Sequence, residues 1–493
     1  MRFIIIALLT LSLSISFAQE SIQFNNSYNA GNGHTANSVF RTDSNYVLLG
    51  TEHLDNDMGY ITIWKFDTLG NIVGEKNYGD GLYFYSLNIE NTCIKNQSAY
   101  IACGSKGNFS DSLELGIMLY KFDAAFDTLW TKNFLQDTLF TVSYAVTNCS
   151  DGGYAIAGTT ERDATTGEAL PKEKALLLRT DSLGNYLWHK TYGTDDYFDK
   201  FYKVVQTPDG GFLCGGSTKS YSGSHNIDWY LVKTDSLGQE EWSRTYGHPY
   251  YDDSRICGIT KTQDSSYIIS GAKAISSDYK KTYVLKLDQN FETDIEKTLN
   301  CIGVDQSIFK TIELSNGDFV AVGTERPETY SAGLANLRKL DADLNEIWYR
   351  KYTVGDTIET PNYILSVDTC PDGGYVMGGW AVHSGQKLAL IKTDSFGCDG
   401  TDWWPCSTDV MVKPLVYSDG FKLYPNPTNH SYALVESSKL KVESVAIYNI
   451  TGKLIKRISS NEHSNSLKID VSDLKSGIYM VKLGERIEKL VVE

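Results

Sequence analysis

Hydrophobic and polar residues alternate in short stretches along most of the chain, and these stretches belong to a unit of about 55 residues that recurs. In the fourth unit, alternation and a high content of β-branched and aromatic residues predict strands at 201–206, 212–218, 229–234 and 241–246. The apolar spacing of a long helix is found in no window. The chain is therefore predicted to be all-β.

The unit recurs seven times between Thr42 and Asp399. Each copy has an aromatic residue four positions before a glycine, at Tyr46, Tyr100, Tyr154, Phe212, Tyr267, Phe319 and Tyr375. Successive aromatic residues are 52 to 58 positions apart, so insertions are confined to loops.

Each copy also has an aspartate after its third predicted strand, at Asp67, Asp123, Asp181, Asp235, Asp288, Asp341 and Asp394. Seven positions later most copies have a large apolar residue, namely Trp130, Trp188, Trp242, Ile295 or Trp348, whereas Gly74 and Thr401 depart from the pattern. Glycine-containing segments such as 208–211 and 235–238 predict tight turns. These shared positions predict a scaffold.

One four-stranded unit cannot bury both of its faces, but seven units around an axis can. The predicted architecture is a seven-bladed β-propeller followed by a small C-terminal β-sandwich. The seventh copy lacks an outer strand, and residues 24–28 match residues 188–192 in spacing. We expect this N-terminal segment to complete the last blade and leave no open edge.

Residues 1–18 combine Arg2, an apolar stretch and a small-residue cleavage pattern, which predicts a signal peptide. No other membrane segment is predicted in the mature chain. The propeller is expected at 19–412, a linker at 413–420 and a separate module at 421–493.

Charge supports this division of the chain. The segment 421–493 has eleven Lys and Arg against eight Asp and Glu, whereas the rest, without Arg2, carries a net charge of −20. An acidic ring argues against nucleic acid as a partner, because phosphate binding requires basic surface.

The C-terminal module contains Tyr424, Pro425, Asn426 and Pro427, then Tyr448 and Gly452, then Gly477 and Tyr479. In order and spacing these residues resemble the C-terminal sorting domain, type A, of the bacterial type IX secretion system, common in Bacteroidetes. The resemblance implies the type IX machinery as a partner, and a protein that is displayed on the outer-membrane surface or released. The propeller repeat is similar to repeats found in many proteins with this domain. An ordinary structural β-domain is the alternative.

Nine cysteines are an odd number for an exported protein. Cys103 and Cys214 lie in predicted second strands and suit apolar packing. Cys398 and Cys406 could close a local loop as a disulfide. No zinc spacing and no catalytic motif is found, so no catalytic or metal-binding residue and no cofactor is assigned.

In each blade both tight turns lie on one face, and the longer, more varied connections lie on the other. The candidate ligand-binding residues on these connections are Tyr83, Tyr85, Asp195, Asp196, Tyr197, Tyr250, Tyr251, Asp252 and Asp253. Tyrosine offers amphipathic contact surface, and aspartate accepts hydrogen bonds from sugar hydroxyls or binds calcium. A solvated acidic rim is the alternative.

The sequence favours a non-catalytic binding module for a glycan or a surface protein. The alternative is a secreted glycoside hydrolase or lyase with an acidic site at the channel mouth. A carboxylate pair roughly 5 to 9 Å apart would favour hydrolysis.

Overall fold

The computed structural model describes residues 23–28, 33–54, 59–79, 84–87, 93–96, 99–107, 116–134, 140–162, 169–221, 226–253, 255–277, 279–299, 305–326, 333–354, 362–382, 386–400, 421–428, 431–437, 444–449, 454–459, 466–483 and 486–492. Every regular element in these residues is a β-strand, which confirms the all-β prediction. Within them no helix is long and apolar enough to cross a membrane. The predicted signal peptide and linker lie outside the described residues. The chain divides into two compact units, Met1–Ser407 and Thr408–Glu493.

The first half of the larger unit contains three antiparallel sheets. β1 (Phe24–Tyr28) precedes the first sheet, which is formed by β2 (His34–Arg41), β3 (Tyr46–His53), β4 (Gly59–Phe66) and β5 (Ile72–Tyr78). The second sheet comprises β6 (Phe84–Ser86), β7 (Cys93–Asn96), β8 (Ala99–Gly107), β9 (Gly116–Phe122) and β10 (Thr128–Phe134). The third comprises β11 (Thr141–Asn148), β12 (Tyr154–Arg162), β13 (Ala169–Thr180) and β14 (Tyr186–Tyr192).

The second half continues the same pattern. The fourth sheet comprises β15 (Asp199–Gln206), β16 (Phe212–Thr218), β17 (Asp228–Thr234) and β18 (Glu240–Tyr246). The fifth comprises β19 (Ile256–Lys261), β20 (Tyr267–Ala274), β21 (Lys280–Leu287) and β22 (Thr293–Thr298). The sixth comprises β23 (Asp305–Glu313), β24 (Phe319–Arg326), β25 (Leu334–Leu340) and β26 (Glu346–Tyr352), and the last comprises β27 (Asn362–Thr369), β28 (Tyr375–Val382) and β29 (Gln386–Thr393).

Neighbouring sheets pack face to face in a propeller-like arrangement. The inner strand of each sheet contacts the sheet before it, and β2 of the first sheet contacts β27 and β28 of the last. Apolar side chains fill the space between sheets. For example, Ala157 and Leu177 of the third sheet share a core cluster with Cys214 and Tyr230 of the fourth.

The N-terminal strand completes the last sheet, as its spacing predicts. β1 pairs antiparallel with β29, from Phe24 opposite Lys392 to Tyr28 opposite Leu388. The Nδ2 atom of Asn25 donates to the carbonyl oxygen of Thr353 at 2.9 Å and to Oδ2 of Asp399 at 2.8 Å. The outer edge of β29 is therefore paired.

The recurring aspartates hold the turns that follow the third strand of each sheet. At Asp235, Oδ1 accepts hydrogen bonds from the backbone N–H of Leu237 at 2.9 Å and of Gln239 at 2.8 Å. The same two bonds recur in the other six turns. Gly238 adopts φ +76° in this turn, which favours glycine.

The C-terminal unit contains two antiparallel sheets. Its strands are β30 (Phe421–Tyr424), β31 (Tyr432–Ser437), β32 (Ser444–Asn449), β33 (Leu454–Ser459), β34 (Ser466–Asp470), β35 (Gly477–Leu483) and β36 (Arg486–Val492). One sheet has the order β30-β31-β34 and the other β33-β32-β35-β36. Val435 and Ile469 from the first sheet share a buried core with Ile447, Val481 and Leu490 from the second.

Candidate functional site

A loop of residues 247–253 connects β18 to β19 on the face opposite the tight turns. Its last residue, Asp253, is only 1% exposed. The Asp253 carboxylate accepts hydrogen bonds from the backbone N–H of His248 and of Ala274. Its own N–H donates to the carbonyl oxygen of Ile227 at 2.8 Å. Asp253 therefore ties the loop to the residue that precedes β17 of the fourth sheet and to β20 of the fifth sheet.

A further carboxyl group, Asp228, lies against this loop. A Cβ atom added at Gly247 would stand 1.9 Å from Oδ1 of Asp228, so the carboxyl group occupies space that only glycine leaves free. Asp228 is 8% exposed, and its Oδ1 atom has no hydrogen-bond partner among the described residues. Burial, together with the nearby carboxylates of Asp253 and Asp252, raises the pKa of Asp228 to about 6.

The middle of the loop is open to solvent. Tyr250 is 78% exposed, and Asp252 is also exposed. Oδ1 of Asp252 accepts a hydrogen bond from the N–H of Ile227 at 2.7 Å. The rings of His248 and Tyr251 stack with their centroids 4.6 Å apart. The loop thus presents an aromatic ring and a carboxylate on a fixed base.

The preceding loop, 193–198, has the same construction. Asp199 follows Gly193 by six residues, as Asp253 follows Gly247. Asp199 is buried and accepts hydrogen bonds from the hydroxyl groups of Thr218 and Ser220. Burial raises the pKa of the Asp199 carboxyl group. A buried acid at this position anchors each of the two loops.

The other candidate residues of this loop remain nearer to solvent. Asp195 and Asp196 are exposed and Tyr197 is half-buried. Asp195 forms an ion pair with Lys174 of β13. Phe198 is exposed, and the ammonium group of Lys172 lies 4.9 Å from its ring centroid.

The two loops flank the same end of the fourth sheet. Asp199 on β15 pairs with Thr218 on β16, and Thr218 pairs with Asp228 on β17. The structure therefore brings Asp195, Asp196 and Tyr197 and the 247–253 residues to the two sides of one sheet end. Tyr83 lies outside the described residues, and Tyr85 is placed on β6 without a described side chain.

Asp228 was not recognised from the sequence. It directly precedes the apolar strand predicted at 229–234, and an aspartate in that position is not distinctive. Its partner Gly247 gives the better signal, because a glycine after the outer-strand aromatic also occurs at Gly193. In both places the glycine makes room for a carboxylate.

Possible metal ligands and the cysteines were compared with the sequence predictions. In the described ranges, no group of three or more His, Cys, Asp and Glu side chains could hold a metal ion. Cys103 and Cys214 are buried free thiols in second strands. Cys398 is disulfide-bonded, while Cys406 lies outside the described residues. The Cys398–Cys406 pairing therefore stays a prediction.

Two cavities open on the face with the tight turns. One, of about 220 Å³, lies between the last and first sheets and is lined by Arg41, Asp43, Tyr46, Asp372 and Lys392 among others. A shallower one of about 440 Å³ lies between the fifth and sixth sheets. Both lie away from the candidate loops.

In the C-terminal unit, Asn426 joins the first segment to the last strand. Its Nδ2 atom donates to the carbonyl oxygen of Lys489 at 2.5 Å, and its Oδ1 atom accepts from the N–H of Val491 at 2.9 Å. The Tyr424 hydroxyl donates to Glu436 at 2.7 Å, and the Tyr479 hydroxyl donates to the carbonyl oxygen of Lys475 at 2.8 Å. Pro425 and Pro427 both follow cis peptide bonds.

Gly477 begins β35 and Tyr448 lies in β32, whereas Gly452 lies outside the described residues.

Residues 422–493 match the family model of the secretion system C-terminal sorting domain. This sorting domain belongs to type IX secretion and indicates export of the chain to the cell surface or the extracellular space. It also implies interaction with the type IX secretion machinery.

No curated protein matches the chain. Among solved structures, a protein of unknown function from Dyadobacter fermentans is 10% identical with a TM-score of 0.45, over 64% of this chain and 96% of that one. The β-propeller domain of the trilobed protease from Pyrococcus furiosus is 10% identical with a TM-score of 0.38, over 72% and 97% of the chains. Both TM-scores are below 0.5, so these similarities do not extend to function.

Proposed function

We propose that the chain is an exported seven-bladed β-propeller whose loop-rich face binds a carbohydrate outside the cell. The ring interpretation is supported by seven sheets between Phe24 and Thr393 in the described residues, each in contact with its neighbour. A signal peptide at 1–18 and the sorting domain at the other end would direct the ring through both membranes.

The observation that carries the binding proposal is the exposed ring of Tyr250 next to the exposed carboxylate of Asp252. Exposed aromatic rings with a polar edge provide contact area at low entropic cost, and carboxylates accept hydrogen bonds from hydroxyl groups. The loop is held by Asp253, so little ordering is required when a ligand binds. Asp195 and Asp196 would extend the same surface.

A glycoside hydrolase or lyase is the second candidate function. A carboxyl group with a pKa of about 6, such as that of Asp228, suits a general acid. However, Asp228 is 8% exposed and Asp253 is 1% exposed, and Asp253 is bonded to backbone amides. A substrate would not reach this pair in the present structure, so binding without catalysis is favoured.

A glycan array with the mature protein tests the binding proposal. We expect a defined set of glycans to bind, and Tyr250→Ala to weaken that binding at least tenfold. Tyr186→Ala, which truncates an exposed tyrosine on the outer strand β14, should leave it unchanged. Binding to no glycan, or equal losses in the two variants, would refute the proposal. Release of reducing ends from a bound polysaccharide would establish the enzyme instead.

A further inference from the structure

The cavity between the last and first sheets has room for a small polar molecule. Its volume is about 220 Å³, whereas one water molecule takes up about 30 Å³ of the liquid. Tyr46, Cys370 and Lys392 are buried residues of its wall, and Asp43 and Thr68 are exposed ones. The space is larger than one inorganic ion needs and suits a single sugar ring.

The positive charge of Arg41 in this wall is not paired. Arg41 ends β2, and its backbone N–H donates to Oδ2 of Asp368 at 2.9 Å. Its guanidinium group makes no ion pair or hydrogen bond with the described residues. Lys392 differs, because its ammonium group donates to Oδ2 of Asp372 and to the carbonyl oxygen of Thr393, each at 2.7 Å. The five N–H donors of the Arg41 side chain can therefore bind a ligand in the cavity.

In two other interfaces the residue at this position bonds across the gap between sheets. Gln206 and Glu313 end the inner strands of the fourth and sixth sheets and pair with the first residue of the second strand, as Arg41 does. Oε1 of Gln206 accepts a hydrogen bond from the backbone N–H of Ser150, in a turn of the third sheet, at 2.7 Å. Oε2 of Glu313 accepts one from the N–H of Gln263, in a turn of the fifth sheet, also at 2.7 Å. An acceptor side chain here thus joins each sheet to the one before it.

The same bond cannot form between the last and first sheets. Pro371 takes the place of Ser150 and Gln263, as the second residue of the corresponding turn, and proline has no N–H. Arg41, in turn, has no acceptor atom in its side chain. Both partners of the bond are therefore replaced, and a cavity with an unpaired donor lies where the bond would be.

We propose that this cavity binds a uronic acid, with the carboxylate of the sugar on Arg41. Arginine binds carboxylates through two parallel hydrogen bonds. Thr42, Asn45 and Thr68 also line the cavity, and their hydroxyl and amide groups suit the hydroxyl groups of a sugar ring. An inorganic anion would leave these groups and most of the space unused. The site lies away from the loop-rich face, so it does not depend on the carbohydrate binding proposed for the loops.

Calorimetric titration of the mature protein with D-glucuronate, D-glucose and acetate tests this site at constant ionic strength. We expect saturable binding of glucuronate, at least tenfold tighter than binding of glucose or acetate. Arg41→Gln should weaken glucuronate binding at least tenfold, because the carboxylate loses its charged partner. Tyr250→Ala should leave this affinity unchanged, which separates the cavity from the loop-rich face.

Lys261→Gln is the matched control for the loss of a positive charge. Lys261 is exposed and ends the inner strand of the fifth sheet, and the corresponding turn of the fourth sheet has Pro208 in the place of Pro371. This variant should bind glucuronate like the unmodified protein. Arg41→Gln combined with Pro371→Ser restores the residue types of Gln206 and Ser150, so it should fold at least as stably and bind at least tenfold more weakly.

A readout on the unmodified protein covers the case in which these variants do not fold. Glucuronate should slow alkylation of Cys370 by iodoacetamide, measured by mass spectrometry, relative to Cys214, which is buried between the third and fourth sheets. Absence of saturable binding below roughly 10 mM would overturn the proposal. Equal affinity for glucuronate and either other probe, equal losses in Arg41→Gln and Lys261→Gln, or unprotected Cys370 would do the same.

Discussion

The indole ring of Trp130 lies against the backbone of Gly184 in the turn of the next sheet. A Cβ atom added at Gly184 would stand 2.7 Å from Cη2 of Trp130. The same contact joins Trp188 to Gly238 and Trp348 to Gly397, and Phe24 of the N-terminal strand meets Gly70 in the same way. A tryptophan therefore packs against the turn of the next sheet at these three interfaces, and Phe24 makes the equivalent contact between the last and first sheets.

We predict that Gly184→Ala destabilises the ring. Overpacking against Trp130 should lower the free energy of unfolding by about 1–3 kcal/mol. Because the backbone at this position is left-handed, with φ +74°, an alanine should lower it by about 1–2 kcal/mol more. Urea unfolding measures the sum. Gly317→Ala is the matched control, because Gly317 has φ +83° and nothing within 4 Å of its added Cβ. Equal destabilisation by the two substitutions would show that the tryptophan contact contributes nothing.

A second prediction concerns the interface between the first and second sheets, where the tryptophan is absent. Gly74 replaces it in the first sheet, and Phe126 replaces the turn glycine in the second. Phe126 is buried at φ +62°, and its ring stacks on Tyr100 with centroids 4.5 Å apart. We expect Phe126→Gly to lower the free energy of unfolding by about 3 kcal/mol, because the buried phenyl ring is lost. Relief of the left-handed backbone strain should restore about 1 kcal/mol of this.

Adding Gly74→Trp to Phe126→Gly should create, between the first and second sheets, the packing of a tryptophan on a turn glycine that is seen for Trp130 and Gly184. A double-mutant cycle of unfolding free energies is expected to show favourable coupling of about 0.5–3 kcal/mol. Additive effects of the two substitutions would mean that Phe126 does not fill the place of a tryptophan.

The repeat made much of this fold predictable. Shared residues such as Asp235 and Gly238 mark turns, and the matched spacing of 24–28 and 188–192 anticipated the pairing of β1 with β29. In the fourth unit the observed strands begin within two residues of the predicted positions and end where predicted.

The functional surface was less predictable, because it depends on contacts between distant segments. Asp252 and Asp253 are adjacent and chemically identical, yet the first is exposed and the second is buried against Ala274. The sequence does not distinguish them.

A third prediction concerns pH. The folded-state pKa of Asp228, about 6, is higher than its ordinary value of 3.8, so protonation favours the folded state. The contribution of protonated Asp228 to the stability of the folded state is fully present below about pH 4 and is lost as the pH rises through 6. Asp228→Asn should therefore be more stable than the unmodified protein at pH 7–8, and the difference should disappear toward pH 4.

Thermal unfolding of both proteins between pH 4 and 8 measures this difference. Other groups act in the opposite sense; burial lowers the pKa of His34 to about 4, which favours folding at higher pH. Subtracting the two curves removes such shared contributions. A difference that does not change with pH would show that Asp228 does not titrate in this range.

The last prediction concerns export. Asn426 connects the segment around Tyr424 to Lys489 and Val491, so its side chain fixes the final strand relative to the first. Each of these hydrogen bonds contributes about 1 kcal/mol, and Asn426→Ala removes both. We expect less of this variant at the cell surface and more in the periplasm, measured by protease accessibility of intact cells.

Tyr424→Phe, which loses one exposed hydrogen bond to Glu436, should be exported normally. Deletion of 421–493 sets the scale of complete retention, and normal export of Asn426→Ala would show that the sorting domain functions without this connection.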